Sequence, residues 1–129
     1  MTEEKDINQA PASTQTFNLV ADWLTIPEIA EQLCLKVTRV HQMIADRALL
    51  ALRHPETGVR MVPELFIDQA GPLKALKGTI TVLEDGGFTD QEAITWLFTE
   101  DKTLPGRPID ALIQGRKTEI RRRAAALAW

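Results

Sequence analysis

Apolar residues recur at helical spacing in two short segments near the start of the chain. The first segment predicts a helix beginning at Thr25, because Thr25 and Glu28 have the spacing of a capping box and Pro27 suits a first turn. The second segment begins directly after residues 34–36, so two short helices meet across a tight turn. The predicted apolar stripes are Ile26, Ile29, Ala30 and Leu33 in the first helix and Val37, Val40, Met43 and Ile44 in the second.

A different pattern follows these two helices. Residues 49–53 are apolar up to Arg53, and residues 59–62 place Arg60 in an alternating pattern. The turn between them contains Gly58, so the two segments predict a β-hairpin. Residues 63–67 then predict a third helical segment that closes a small core.

The second half of the chain shows helical patterns throughout. We predict helices over residues 73–85, 89–98, 109–113 and 117–129, with the Gly86–Gly87 pair ending the first of them in left-handed backbone. The predicted fold class is therefore mainly α: a winged helix-turn-helix with a small β-hairpin wing, followed by a C-terminal helical domain.

The N-terminal segment has a composition of its own. Residues 1–16 are polar and acidic and contain only Ile7 as a large apolar residue, so we predict a disordered acidic tail. The predicted domains after the tail are a winged helix-turn-helix at residues 17–68 and a helical domain at residues 69–129. The tail hydroxyls are either plain solvated groups or candidate phosphorylation sites for a Ser/Thr protein kinase, which are Thr2, Ser13, Thr14 and Thr16.

The composition excludes several classes of protein. A net charge of -3 argues against a protein that coats nucleic acid by bulk charge. One cysteine and two histidines without ligand spacing predict no metal site, no cofactor and a reducing, cytoplasmic environment. No apolar run approaches the roughly 18 to 20 residues that span a bilayer, so no membrane association is expected.

Catalysis is not indicated. The acidic pairs at residues 84–85 and 100–101 are adjacent in sequence, so their side chains diverge, and solvated charge explains them better than general acid–base chemistry. Cys34 lies among apolar neighbours, where we expect a small buried thiol. We therefore predict that the protein is not an enzyme.

Positive charge concentrates in the window that contains the second helix and the hairpin. Residues 33–60 hold five basic residues against two acids, a net charge of +3. With its apolar stripe turned inward, the second helix presents a polar face of the kind that reads base edges in a major groove. The hairpin adds basic side chains where a wing would meet phosphates or the minor groove. The predicted contacts with double-stranded DNA are Lys36, Thr38, Arg39, His41, Gln42, Arg53, His54 and Arg60. The alternative is a helical pair with solvated polar faces.

Residues 24–33 followed by residues 37–44 resemble the winged helix-turn-helix of excisionases and MerR-type proteins. Residues 83–88, 96–99, 107–112 and 122–124 resemble a small actinobacterial family of DNA-binding proteins with that fold and a helical C-terminal domain, and the likeness covers nearly everything after Trp23. The family includes a member whose N-terminal tail is phosphorylated by a membrane Ser/Thr kinase. The resemblance implies sequence-specific DNA binding and transcriptional regulation, with no enzymatic activity. One position departs from the motif, because Cys34 stands where a glycine is usual.

A second resemblance suggests a different function. Residues 96–99 and 104–112 are also similar to the C-terminal domain of Xre/MbcA/ParS-type antitoxins, which implies capture of a partner protein. Alternatively, these residues fill the C-terminal core and a homodimer contact. The run Arg121, Arg122 and Arg123 is interpreted either as a phosphate clamp or as a complement to the helix dipole.

Overall fold

The computed structural model describes residues 13–127. The chain begins with α1 (Thr14–Leu19), which is capped by the Ser13 side chain. Next come β1 (Trp23–Thr25), α2 (Ile26–Leu33) and α3 (Val37–Ala45). The predicted capping box is confirmed: Thr25 Oγ1 accepts from the Glu28 amide, and the Glu28 carboxylate accepts from the Thr25 amide at 2.7 Å.

The wing is a hairpin of β2 (Leu52–Arg53) and β3 (Arg60–Pro63). Strand β3 lies in the centre of an antiparallel sheet with the order β1-β3-β2. Its register pairs Leu24 with Val62 on one side and Arg53 with Arg60 on the other. The hairpin is therefore tied to the helix pair through β1, which leads directly into α2.

The C-terminal half is helical. After a short antiparallel pair, β4 (Ile67–Asp68) and β5 (Gly71–Pro72), the chain forms α4 (Leu76–Asp85), α5 (Asp90–Phe98), α6 (Pro108–Ile113) and α7 (Lys117–Ala126). A second capping box, between Thr89 and Glu92, begins α5. The predicted fold class, mainly helical with a hairpin wing, is confirmed.

One buried apolar cluster runs through both halves of the described chain. Ile29, Val40 and Val62 contribute from the helix pair and the wing, and Ile94 and Leu97 contribute from α5. The rings of Phe66 and Phe98 meet across the junction, with their centroids 5.7 Å apart. In residues 13–127, each helix is too short or too polar to cross a bilayer.

Two local predictions are wrong, and one strand was not predicted. Residues 13–16 belong to α1 and its cap, because Thr16 is buried against α5 and its hydroxyl lies 3.1 Å from that of Thr95. Residues 63–67 form only a single 3₁₀ turn at Glu64–Phe66 before β4 begins. Strand β1 is not evident from the sequence, because its backbone bonds to β3, far along the chain, decide its conformation. The remainder of the predicted tail, residues 1–12, lies outside the described residues.

Candidate nucleic-acid interface

The polar face of α3 is open to solvent. The buried residues of this helix are Val40 and Ile44, which hold it against α2. Five predicted contact residues are exposed on or beside it, namely Lys36, Thr38, Arg39, His41 and Gln42. The Gln42 side chain is oriented by its amide group, which donates to Asp46 at 2.9 Å one turn along the helix.

The N-terminus of α3 differs from those of α2 and α5. Its cap residue, Lys36, makes no side-chain hydrogen bond to the first turn, whereas α2 and α5 both begin with capping boxes. Within residues 13–127 the first N–H groups of α3 therefore lack a side-chain acceptor, although the Arg39 amide donates to the Lys36 carbonyl at 2.9 Å. An uncapped helix N-terminus with a lysine beside it favours an anion such as a DNA phosphate.

The arginines of the protein fall into two groups. Arg47, Arg107, Arg116 and Arg123 each form an ion pair with a carboxylate of the chain. Arg39 belongs to the second group, whose members have no such partner among residues 13–127. Its charge is therefore available to a ligand, as base recognition by an arginine requires.

The wing places two arginines opposite each other. Arg53 and Arg60 are directly paired across β2 and β3, so their side chains share one face of the hairpin. Like charges in this arrangement repel, and neither has a carboxylate partner within the described chain. Arg53 donates to the Gly58 carbonyl at 3.1 Å, which leaves part of its guanidinium available. The pair is suited to hold a bound phosphate.

His54 serves the structure of the wing. Its Nδ1 accepts from the amides of Glu56 and Thr57 at 3.0 and 3.3 Å, and its ring packs edge-on against Phe17. The turn and α1 thus hold the imidazole. Its predicted contact with DNA is not tested by this role and stays a prediction.

Two residues of the helix pair differ from the prediction. Cys34 is exposed and not a buried thiol, because it occupies the left-handed position at the end of α2, with a φ of 57°. It therefore stands in the backbone conformation that a glycine usually supplies. Val37 is 42% exposed and leaves the predicted apolar stripe, because it is the first residue of α3 and lies at the solvent-facing N-terminus of the helix.

The C-terminal arginine run is used mostly within the protein. Arg121 donates to the Ala75 carbonyl at 3.2 Å and lies over Gly78, where an added Cβ would overlap with the guanidinium. Arg123 bonds with Glu119 and Thr103. These contacts argue against a clamp formed by three arginines, and only Arg122 is left exposed.

Arg107, which precedes Pro108 at the start of α6, has the structural role expected of it, which is to order the loop. Arg107 makes two hydrogen bonds to Asp110, at 2.8 and 2.9 Å, and lies over the ring of Phe98. The same contact lowers the pKa of the Asp110 carboxyl through the hydrogen bonds from Arg107. Both groups therefore stay charged as an internal pair.

Arg47, which the sequence did not single out, connects α3 to the C-terminal half. Its Nη2 lies 2.6 Å from Asp90 Oδ1 at the start of α5, and its Nε lies 3.4 Å from Glu84. Hydrogen bonding to Asp90 raises the pKa of the guanidinium, although burial opposes that shift. Sequence spacing could not have indicated this pair, because 43 residues separate its members.

The predicted phosphorylation sites are unequal. Ser13 is exposed but its side chain caps α1, and Thr16 is buried, so both hydroxyls take part in the fold and their phosphorylation stays a prediction. Thr14 is exposed in the first turn of α1. Thr2 lies outside the described residues. No group of three or more His, Cys, Asp or Glu side chains within residues 13–127 is arranged to hold a metal ion.

Comparison with known proteins agrees with this architecture. The family model for the wHTH domain of the DNA-binding protein Rv2175c matches residues 9–67, and that for the Rv2175c C-terminal domain of unknown function matches residues 73–128. The DNA-binding protein Rv2175c of Mycobacterium tuberculosis is 32% identical, over 95% of this chain and 92% of that protein. The NMR structure of Rv2175c superimposes with a TM-score of 0.75 at 33% identity, covering 84% of this chain and 82% of that one. The chain therefore belongs to the Rv2175c family, whose winged helix-turn-helix domain precedes a separate C-terminal domain.

Proposed function

We propose that the protein binds double-stranded DNA sequence-specifically and regulates transcription. The observation that carries the proposal is the exposed polar face of α3, on which Arg39 has no internal ion-pair partner among the described residues. The relative from Mycobacterium tuberculosis, which is named as a DNA-binding protein, supports it. Catalysis has no part in this function.

In the proposed complex, α3 lies in the major groove. Arg39 donates two hydrogen bonds to a guanine edge, and Gln42 contacts an adenine. Lys36 and the uncapped N-terminus of α3 contact a backbone phosphate. Arg53 and Arg60 neutralise a phosphate beside the wing, which removes their mutual repulsion.

Selection from a random-sequence duplex pool tests the proposal. We expect the full chain to enrich one sequence motif, and to bind it at least about a thousandfold more tightly than a scrambled duplex. A control with Arg39→Ala should enrich a motif that is degenerate at one position. If the wild-type protein enriches no motif, sequence-specific binding is refuted.

A second function is favoured by a groove on α5. A depression of about 360 Å³ is lined by Phe88 and Trp96, together with Gln91, Glu92, Thr95 and Thr99. Half-buried aromatic side chains at a surface fit a partner protein or a second copy of this chain. Light scattering of the wild type and of Trp96→Ser measures self-association, and co-purification measures a partner. A monomer that co-purifies with nothing would contradict this function.

A further inference from the structure

We infer that the ion pair between Arg47 and Asp90 positions α3 for DNA reading, so that the C-terminal domain sets the affinity of a surface it does not form. The inference rests on the proposed function. Arg47 lies two residues beyond the last residue of α3, and Asp90 is the first residue of α5.

The backbone at Arg47 supplies the first argument. The Arg47 amide donates to the Ile44 carbonyl and the Ala48 amide to the Met43 carbonyl, which is the bonding of a Schellman motif. The left-handed position of that motif is usually a glycine, yet here it is an arginine with a φ of 64°. An arginine in this conformation is strained, and contacts made by its side chain can offset that cost.

The Arg47 side chain makes a contact that can offset this strain. Its guanidinium makes two hydrogen bonds to Asp90, at 2.6 and 3.3 Å, and the Asp90 side chain is only 10% exposed. A two-pronged bond between planar groups fixes orientation as well as distance. Because Arg47 lies only two residues beyond α3, the pair fixes the end of α3 against the first turn of α5.

Helix α5 is held in place by other contacts as well. It bonds to α1 and its cap, through the hydrogen bond from the Ser13 amide to Gln91 and the one between Thr16 and Thr95. Its last residue, Phe98, packs against Phe66, which follows the wing. The helix-turn-helix is thus held against α5 at its start, at the end of α3 and beyond the wing. Of these contacts, the Arg47–Asp90 pair is the one nearest the reading helix.

The test uses an aspartate that carries no part of the DNA interface. Asp90→Asn removes a negative charge, so electrostatics alone would leave DNA binding unchanged or strengthen it. A positioning role predicts the opposite sign. We expect affinity for the duplex selected by the wild type to fall by about two- to thirtyfold, with affinity for a scrambled duplex unchanged.

Asp110→Asn is the matched control. Asp110 is also an aspartate in the first turn of a helix with a two-pronged bond from an arginine, but its partner, Arg107, lies in the C-terminal half. Both variants lose an ion pair and are expected to lose stability, as measured by thermal unfolding. Only Asp90→Asn should lose preference for the selected duplex.

Arg47→Gly removes the arginine of the ion pair, as Asp90→Asn removes the charge of the aspartate. Glycine relaxes the left-handed backbone, which offsets part of the stability that the ion pair contributed. We expect it to weaken selected-duplex binding as Asp90→Asn does, and the double variant to lose less than the sum of the two single losses, because both variants break the same ion pair. The slope of log affinity against log salt concentration is compared for Arg47→Gly and Asp90→Asn. If its magnitude falls by about one unit in Arg47→Gly and not in Asp90→Asn, Arg47 contacts a phosphate and the inference is overturned.

The outcomes separate the two proposals. If Asp90→Asn binds the selected duplex as tightly as the wild type does, the positioning role is wrong and the proposed function stands. If Asp110→Asn loses preference equally, the effect is general destabilisation and the inference fails. If the wild type itself shows no preferred duplex, the proposed function fails and the inference with it.

Discussion

At the scale of single residues, Arg39 is the side chain whose loss should be most informative. We predict that Arg39→Ala weakens binding to the selected duplex by about 1 to 3 kcal/mol and relaxes preference at one base pair, because a two-pronged contact acts on a single base. Titration against duplexes with single substitutions measures both effects. Arg122→Ala, an exposed arginine on α7, is the matched control and should change neither. An equal loss on scrambled DNA would instead make Arg39 a phosphate contact.

Cys34 gives a second prediction at this scale, on stability. Its φ of 57° is costly for a residue with a Cβ, by about 1–2 kcal/mol, whereas glycine adopts it freely. Glycine also gains chain entropy on unfolding, at roughly 0.5–1 kcal/mol, so we expect Cys34→Gly to raise the free energy of unfolding by up to about 1 kcal/mol. Denaturant titration measures the change. Cys34→Ser keeps the strain and serves as the control, and a glycine variant no more stable than the serine variant would contradict the argument.

At the scale of elements, the wing should act through phosphates and not through bases. We predict that Arg53→Gln together with Arg60→Gln lowers affinity for all duplexes and reduces the salt slope by about one unit for each phosphate that the wing no longer neutralises. Lys74→Gln with Lys77→Gln, two exposed lysines in and before α4, removes the same charge away from the wing and is the control. An unchanged slope in the wing variant would remove the hairpin from the interface.

The helices differ in how their first amide groups are satisfied. Both α2 and α5 satisfy their first amides with capping boxes, which a sequence can encode within four residues. Helix α3 leaves its first turn without a side-chain cap and relies on Val40 and Ile44 for its place. Within residues 13–127, α4 and α7 also begin without a side-chain cap, so the contact of the α3 N-terminus with a phosphate stays a prediction.

At the scale of the whole molecule, the N-terminal residues and the candidate interface carry net charges of opposite sign. Residues 1–12 carry a net charge of -2, from Lys5 against Glu3, Glu4 and Asp6, and residues 33–60 carry +3. Twelve residues reach up to about 40 Å when extended, about three times the length of a nine-residue helix such as α3. We predict that deleting residues 1–11, which keeps the Ser13 cap, strengthens DNA binding modestly at low salt and not at high salt.

The same charge argument applies to phosphorylation. A phosphate on Thr2 or Thr14 would add a charge of about −1.5 to −2 to the N-terminal residues, whose net charge is already negative. Thr14→Glu should therefore weaken DNA binding at low salt, and Thr14→Gln is its neutral control. Titrations of the deletion and of both variants at two salt concentrations measure these effects. Equal affinities at low salt would show that the N-terminal residues do not influence binding.

The sequence by itself determined the features whose causes lie within a few residues. The cap at Thr25, the helix stripes, the tight turn and the hairpin all depend on neighbours, so periodicity and turn chemistry revealed them. The exposure of Lys36, Thr38, Arg39, His41 and Gln42 follows from the same periodicity, because the opposite face of α3 is apolar. Which of these residues contact DNA stays a prediction.

Only the tertiary structure decided the features that join distant residues. The ordering of Ser13 and Thr16 depends on Gln91 and Thr95, and β1 exists because β3 lies beside it. Arg47 looks like an ordinary helix-end arginine until the fold brings Asp90 to it. Such contacts leave no mark in a single sequence, because their free energy arises only once packing has brought the two partners together.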